Sequence, residues 1–169
     1  KYCLSGHHTT CDTLRSTNFY PGGFTEYLRI PEINVDRGVF ILPDNVSYEE
    51  GTFVEPLGTV LRGQRLANIQ PGNSVLILGC GIAGLLHVKL ARKLGGGIVI
   101  AADINDYRME AAKRFGAQYG VHANEDIPNY IRKVNRGNLI NRVIICTGVA
   151  SAVTQALDSV DRGGVILFF

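Results

Sequence analysis

Asn73-Ser74-Val75-Leu76-Ile77-Leu78-Gly79-Cys80-Gly81-Ile82-Ala83-Gly84, continuing to Leu94, is the stretch whose reading decides the fold. The apolar run Val75 to Leu78 predicts a buried strand. The glycines after it predict a sharp turn, and the apolar-faced run that follows predicts a helix. Gly79 lets the chain turn out of the strand, and Gly81 leaves no side chain between the backbone and an approaching pyrophosphate. Gly84 lets the helix lie close on the sheet. The first helical turn carries backbone N–H groups with no intrahelical partner, and their partial positive charge favours an anion. Gly79, Gly81, Ile82, Ala83 and Gly84 are therefore candidate phosphate-binding residues.

Glycine turns serve many loops, so the surroundings of this one give it meaning. A second apolar strand, Gly97-Ile98-Val99-Ile100-Ala101-Ala102, ends in Asp103, nineteen positions past Gly84. That is close to the roughly 20-residue spacing at which an acid hydrogen-bonds the adenosine ribose hydroxyls of a dinucleotide. A carboxylate there would repel a 2′-phosphate, so NAD is expected over NADP. Asp103 is also expected to cap a helix starting near Asn105, a role compatible with the first.

A chain of 169 residues fits one α/β domain with an appendage. Lys and Arg number 17 against 15 Asp and Glu, and no basic run stands out, which argues against a nucleic-acid partner. The apolar stretches fall short of the roughly 20 residues needed to span a bilayer, so no membrane partner is expected. Four cysteines make no disulfide framework, and a cytoplasmic location is the default. Cys80 and Cys146 sit at strand ends where a small buried residue fits. The opening Lys1-Tyr2-Cys3 has no initiator Met, and Gly164 to Phe169 reads as a strand with no turn after it, as expected of a fragment.

Residues 1–18 are polar, with Cys3 and Cys11 separated by seven residues. A tetrahedral metal site needs four ligands, and His7 and His8 either complete one or sit in solvent. Strands are expected over Phe24–Ile30 and Val39–Leu42, as part of a small β-rich domain. Ser47 and Glu50 have capping-box spacing. A helix is expected from about Pro56 to Ile69, with Glu55 and Thr59 on one side of its first turns. From Val75 onward strand and helix alternate: helix 104–115, strand 119–121, helix 126–134, strand 142–146, helix 150–160 and strand 165–169. This alternation predicts a doubly wound parallel sheet of Rossmann type, with ligands beyond the carboxyl ends of its strands, where Asp103 and Cys146-Thr147-Gly148 fall.

The ordered set Cys3…Cys11, Pro21-Gly22-Gly23-Phe24-Thr25-Glu26-Tyr27, Glu55-Pro56-Leu57, Gly79 to Gly84, Asp103, Cys146-Thr147-Gly148 and Asp161-Arg162-Gly163-Gly164 resembles the zinc-containing medium-chain dehydrogenases. The branch it looks most like holds the alcohol, sorbitol and threonine dehydrogenases. The resemblance implies part of a GroES-like catalytic domain over residues 1–54, with the remnant of a structural zinc lobe. It then implies a linking helix and an NAD-binding Rossmann domain over residues 55–169, ending before its last strand. Cys3 and Cys11 match the third and fourth cysteines of the family's zinc lobe. Glu55 matches a third catalytic-zinc ligand or a nearby acid, and Thr59 matches a residue lining the nicotinamide pocket.

By the same likeness, Asp103 would hold the adenosine ribose, Arg108 would flank the adenine, and Cys146-Thr147-Gly148 would line the cofactor cleft. The whole enzyme would pass hydride between a secondary alcohol or polyol and NAD with zinc as the second cofactor, and would be a homo-oligomer, dimer or tetramer. The family's remaining catalytic-zinc ligands, a Cys and a His-Glu pair, have no counterpart here, so the fragment itself is expected to be inactive. Two other readings of the glycine turn are an S-adenosylmethionine-dependent methyltransferase and a nucleotide-binding module without chemistry.

Overall fold

The computed structural model describes residue 2 and residues 5–169, apart from the side chain of Arg37. The chain divides into two units, Lys1–Gly51 and Thr52–Phe169. In the first, a 3-10 turn at His8–Thr10 leads into short helices α1 (Asp12–Ser16), α2 (Glu32–Gly38) and α3 (Tyr48–Gly51). The capping box forms as expected: the Ser47 N–H donates to Glu50 Oε2 at 2.9 Å, and the Glu50 N–H donates to Ser47 Oγ at 3.1 Å. The strands expected over Phe24–Ile30 and Val39–Leu42 do not form. The single ladder element in this unit, among the described residues, is an antiparallel bridge between Tyr20 and Arg29. A strand is stable only against a partner and a covered face, and Phe24, Phe40 and Ile41 are almost wholly exposed.

The second unit opens with α4 (Val54–Leu66), which stops short of Ile69 because Asn68 takes a left-handed turn with φ of 50°. Strands β1 (Val75–Leu78), β2 (Val99–Asp103), β3 (Tyr119–His122), β4 (Ile140–Ile145) and β5 (Val160–Phe168) then form one sheet. Their order is β3-β2-β1-β4-β5 and every pairing is parallel. This is the Rossmann arrangement, with its topological switch between β1 and β4. β5 begins earlier than the sequence suggests. Val160 pairs with Ile140 before the register shifts across Asp161–Gly164, a segment whose glycines read as a turn.

Period-two alternation sorts the strand side chains onto two faces. Val75, Ile77, Val99, Ala101 and Ile144 pack on one, under α4, α5 (Ile82–Lys93) and α6 (Asp106–Phe115). Leu76, Leu78, Ile100, Ala102, Val143 and Ile145 pack on the other, with Ile127 and Ile131 of α7 (Ile127–Val134) and Ala152 and Ala156 of α8 (Ala150–Ser159). β1 is buried along its whole length because it has neighbours on both edges and helices on both faces. α6 is capped by Asn105, whose Oδ1 accepts the Arg108 N–H at 3.2 Å, so Asp103 is not its cap. Asn105 immediately precedes the helix, three residues before the Arg108 N–H it caps, while Asp103 lies two residues further back with its carboxylate engaged by the Cys80 and Asn105 N–H groups.

Two close contacts fix α5. At Gly84 an added Cβ would overlap the Gly79 carbonyl oxygen, so the first turn of α5 lies directly on the glycine turn. Further along, α5 meets α4 through a buried polar pair. Gln64 Nε2 donates to the His87 carbonyl at 2.8 Å and lies 3.2 Å from His87 Nδ1. With Nδ1 accepting, the ring proton sits on Nε2, edge-on to the Phe169 ring at 4.6 Å between centroids. Burial pushes the imidazole down to about 4, so it is neutral at physiological pH.

Gly84→Ala is expected to lower unfolding free energy by about 1–3 kcal/mol in urea titration, through overpacking against the Gly79 carbonyl. The unfolded chain takes up a proton on His87 at about 6.5 and the folded chain only at about 4, so this group's contribution is complete above pH 6.5 and is lost as pH falls toward 4. Across that window His87 should remove about 3 kcal/mol of stability. His87→Gln should flatten that part of the stability–pH profile, measured by denaturant midpoints at each pH.

Candidate functional site

The site is built where β1 gives way to α5. Gly79 has φ of 95°, and a Cβ on it would come within 2.9 Å of the Cys146 carbonyl oxygen, so both backbone conformation and space demand glycine there. Gly81 is the N-cap of α5, extended rather than left-handed, with no side-chain cap. A Cβ on Gly81 would meet no atom within 4 Å, so the peptide edge beside it faces open space. Ile82 is exposed and Ala83 half-buried, and α5 has no acidic residue in its first turn. Arg92 and Lys93 in the last turn complement the opposite end of the helix dipole. The amino end of α5 is thus a positive, uncovered edge suited to an anion.

Asp103 ends β2 beside this turn and is only 6% exposed. Its Oδ2 accepts the Cys80 N–H at 2.7 Å, and its Oδ1 accepts the Asn105 N–H at 2.9 Å. Each carboxylate oxygen accepts more than one hydrogen bond, so acceptor capacity remains toward the adjoining cleft. Arg108 reaches over from α6, with Nη1 4.0 Å from Asp103 Oδ2 and the side chain 55% exposed. The cleft itself, about 270 Å³, is lined by Leu78, Gly79, Asp103, Arg108, Thr147 and Gln155 among others. It opens at the carboxyl ends of β1, β2 and β4, as expected for a ligand site at a topological switch.

The two cysteines near the turn are inert. Burial first, then the negative charge of Asp103 and the neighbouring Cys146, with Arg108 opposing, pushes the Cys80 thiol up to about 12. Burial alone takes Cys146 up to about 12. Burial thus disfavours the thiolate of both, and they serve as small packing groups, Cys80 wholly buried and Cys146 against the core.

Most sequence-derived candidates converge here, and some do not. Gly79, Asp103, Arg108 and Thr147 line one cleft, with Gly81, Ile82, Ala83 and Gly84 beside it. Of the loop Cys146-Thr147-Gly148, Thr147 is the member that lines the cleft; Cys146 packs against the core and Gly148 is exposed. Glu55 and Thr59 are exposed on α4, where Thr59 Oγ1 donates to the Pro56 carbonyl at 2.8 Å. Cys11 lies in the first unit, and Cys3 lies outside the described residues. Among the described residues, no three His, Cys, Asp or Glu side chains converge in a way that could hold a metal ion, so the described residues do not fit zinc.

Sequence reasoning missed Asn124, Ser151 and Gln155, which complete the cleft from the loop after β3 and from α8. Gln155 donates through Nε2 to the Ala123 carbonyl at 2.6 Å, tying these two walls together. Nothing in the local sequence marks them, because their shared feature is the end of the sheet to which they come. No helix among the described residues is long and apolar enough to cross a membrane.

The chain is similar to sorbitol dehydrogenase of Bacillus subtilis strain 168, with 30% identity over 165 residues, covering 96% of this chain and 46% of that enzyme. It thus spans about half the length of the curated relatives it matches. An Escherichia coli oxidoreductase/dehydrogenase of unknown specificity matches in structure over 98% of this chain and 48% of its own, with TM-score 0.83 and 31% identity. A zinc-binding-dehydrogenase-class protein of Sinorhizobium meliloti 1021, bound to NADP, matches over 75% of this chain and 38% of its own, with TM-score 0.69 and 33% identity. Residues 83–169, from the first turn of α5 to the end of β5, match the family described as zinc-binding dehydrogenase, and with the Rossmann sheet and its glycine turn this establishes that the chain belongs to that family.

Proposed function

We propose that this chain is the dinucleotide-binding part, with a portion of the substrate domain, of a zinc-dependent oxidoreductase that passes hydride between a secondary alcohol or polyol and NAD. The observation that carries the reading is the cleft at the switch point, where Asp103 and Arg108 stand beside the uncovered backbone edge of Gly81 at the start of α5. In this reading the pyrophosphate lies on the N–H groups of the Gly81–Gly84 segment, drawn there by their unpaired dipoles. Asp103 accepts from the adenosine ribose hydroxyls, Arg108 flanks the adenine, and the 146–148 loop borders the cofactor. When bound, the nicotinamide ring supplies the hydride acceptor.

Glu55 is proposed as a catalytic-zinc ligand or nearby acid of the whole enzyme, and Thr59 as part of the nicotinamide pocket. Cys3 and Cys11 are proposed as a remnant of the structural zinc lobe, in a GroES-like portion over residues 1–54. The described residues include no metal-binding cluster, so the chain alone is expected to bind dinucleotide without turning over an alcohol. The sorbitol and threonine dehydrogenases among its relatives support a small polyol or hydroxy compound as the substrate class. We also propose a cytoplasmic location and, as the family resemblance implies, a homo-oligomer, dimer or tetramer.

Calorimetric titration of the chain with NAD, NADP and S-adenosylmethionine tests the assignment. NAD should bind at least about fivefold more tightly than NADP, since the Asp103 carboxylate repels a 2′-phosphate at close range. Binding of S-adenosylmethionine with no response to either dinucleotide would overturn it. Light scattering should give a mass above the 18.4 kDa of one chain; a monomer at high concentration would remove the oligomer.

A further inference from the structure

Resting on the dinucleotide reading of the cleft, we infer that Asp103 has a second role. It is a positioning residue for the phosphate-binding turn, acting through the Cys80 amide and independently of the ribose hydroxyls. A residue that only received ribose would need no bond to the glycine turn. Here the carboxylate is buried and committed to the backbone on both sides: Oδ2 takes the Cys80 N–H at 2.7 Å, and Oδ1 takes the Asn105 N–H at 2.9 Å.

The consequence follows from where Cys80 sits. It stands between Gly79, with φ of 95°, and Gly81, which caps α5 with no side-chain hydrogen bond. Two glycines flanking one residue make a segment that has wide conformational freedom before it is held. Three contacts with the end of β2 hold it: Gly79 N–H to the Ala102 carbonyl at 2.8 Å, Cys80 Sγ to the same carbonyl at 3.5 Å, and Cys80 N–H to Asp103. The thiol contact is weak and the Gly79 bond precedes the turn. Past the turn the Leu85 N–H donates to the Gly81 carbonyl at 2.9 Å as α5 begins, so the charge-assisted bond to Asp103 is the contact from β2 that orients the peptide entering Gly81, on which the anion edge depends. The Asn105 N–H on the other oxygen fixes the carboxylate so that it can serve as this fixed point.

ADP and 2′,3′-dideoxy-ADP separate the two roles, because the second ligand lacks the ribose hydroxyls. Calorimetry on the wild-type chain, Asp103→Ala and Asp103→Asn gives the dissociation constants, with thermal melts to check folding. Asp103→Ala should weaken dideoxy-ADP about fivefold or more, the scale of one charge-assisted hydrogen bond lost. Asp103→Asn keeps an acceptor for the Cys80 N–H and should restore dideoxy-ADP binding to within about threefold of wild type. Unchanged dideoxy-ADP binding in Asp103→Ala, with ADP weakened, would confine Asp103 to the ribose and overturn the inference.

Amide exchange at Cys80, followed by NMR without ligand, gives a readout that needs no nucleotide. The Cys80 N–H should be protected in wild type and Asp103→Asn and exchange at least about tenfold faster in a folded Asp103→Ala. Equal exchange in all three would also overturn the inference. If neither nucleotide binds the wild-type chain, the dinucleotide reading fails, while the exchange result still decides whether Asp103 holds the turn.

Discussion

The contact between the first turn of α5 and the carbonyl of Gly79 is the constraint from which the rest of the second unit follows. With no Cβ at Gly84, the helix axis comes close enough for α5 to rest on β1 while its amino end stays at the rim of the sheet. Any larger residue would lift the helix, and the free N–H groups would no longer face the space beyond the carboxyl ends of β1 and β4. The left-handed φ of Gly79 is the other half of the same constraint, since the Cys146 carbonyl occupies the side where a Cβ would stand. Packing and ligand geometry are here one requirement, met by glycines for two different reasons.

Much of this was legible in the sequence because it is local. The run Val75 to Leu78 is one face-alternating strand in a sheet buried on both sides, and its neighbours repeat an apolar run at Val99–Ala102 and at Val143–Ile145. The glycine spacing, the acid at 103 and the order of strands and helices required no long-range information. What was not legible depends on contacts made at a distance. The strands expected near Phe24 and Val39 had suitable residues, yet among the described residues the first gained a single bridge, Tyr20 to Arg29, and the second none, so alternation alone did not produce a ladder. Asp103 looked like a helix cap because it precedes α6; its engagement by Cys80, 23 positions earlier, is a tertiary fact. Gln155 and Asn124 were likewise anonymous until the fold brought them to the cleft wall.

The pair Gln64 and His87 shows a second kind of coupling. α4 carries Glu55 and Thr59 in its early turns and Gln64 near its end, while α5 carries the glycine turn at its start. A hydrogen-bonded polar pair between two helices fixes their axial register more sharply than apolar contact does, because hydrogen bonds weaken steeply with misalignment. Gln64 meets both the ring and the carbonyl of His87, so sliding one helix along the other would break both contacts at once. Keeping the imidazole neutral matters for the same reason, since a protonated Nδ1 would turn from acceptor to donor opposite the Gln64 amide.

Binding and chemistry make different demands on the chain, and the two are unevenly distributed in it. The proposed dinucleotide seat draws on a backbone edge, one carboxylate and one cation, at residues 79–84, 103 and 108 of three consecutive elements. The turn, the carboxylate and the cation come from α5, β2 and α6, while Thr147 and Gln155 close the cleft from beyond β4 and from α8. A catalytic metal needs three or four ligands whose side chains converge from separate elements, and the described residues bring no such set together. Contact range separates the two requirements: the glycine turn and Asp103 are brought together by consecutive elements, whereas no converging set of metal ligands occurs among the described residues.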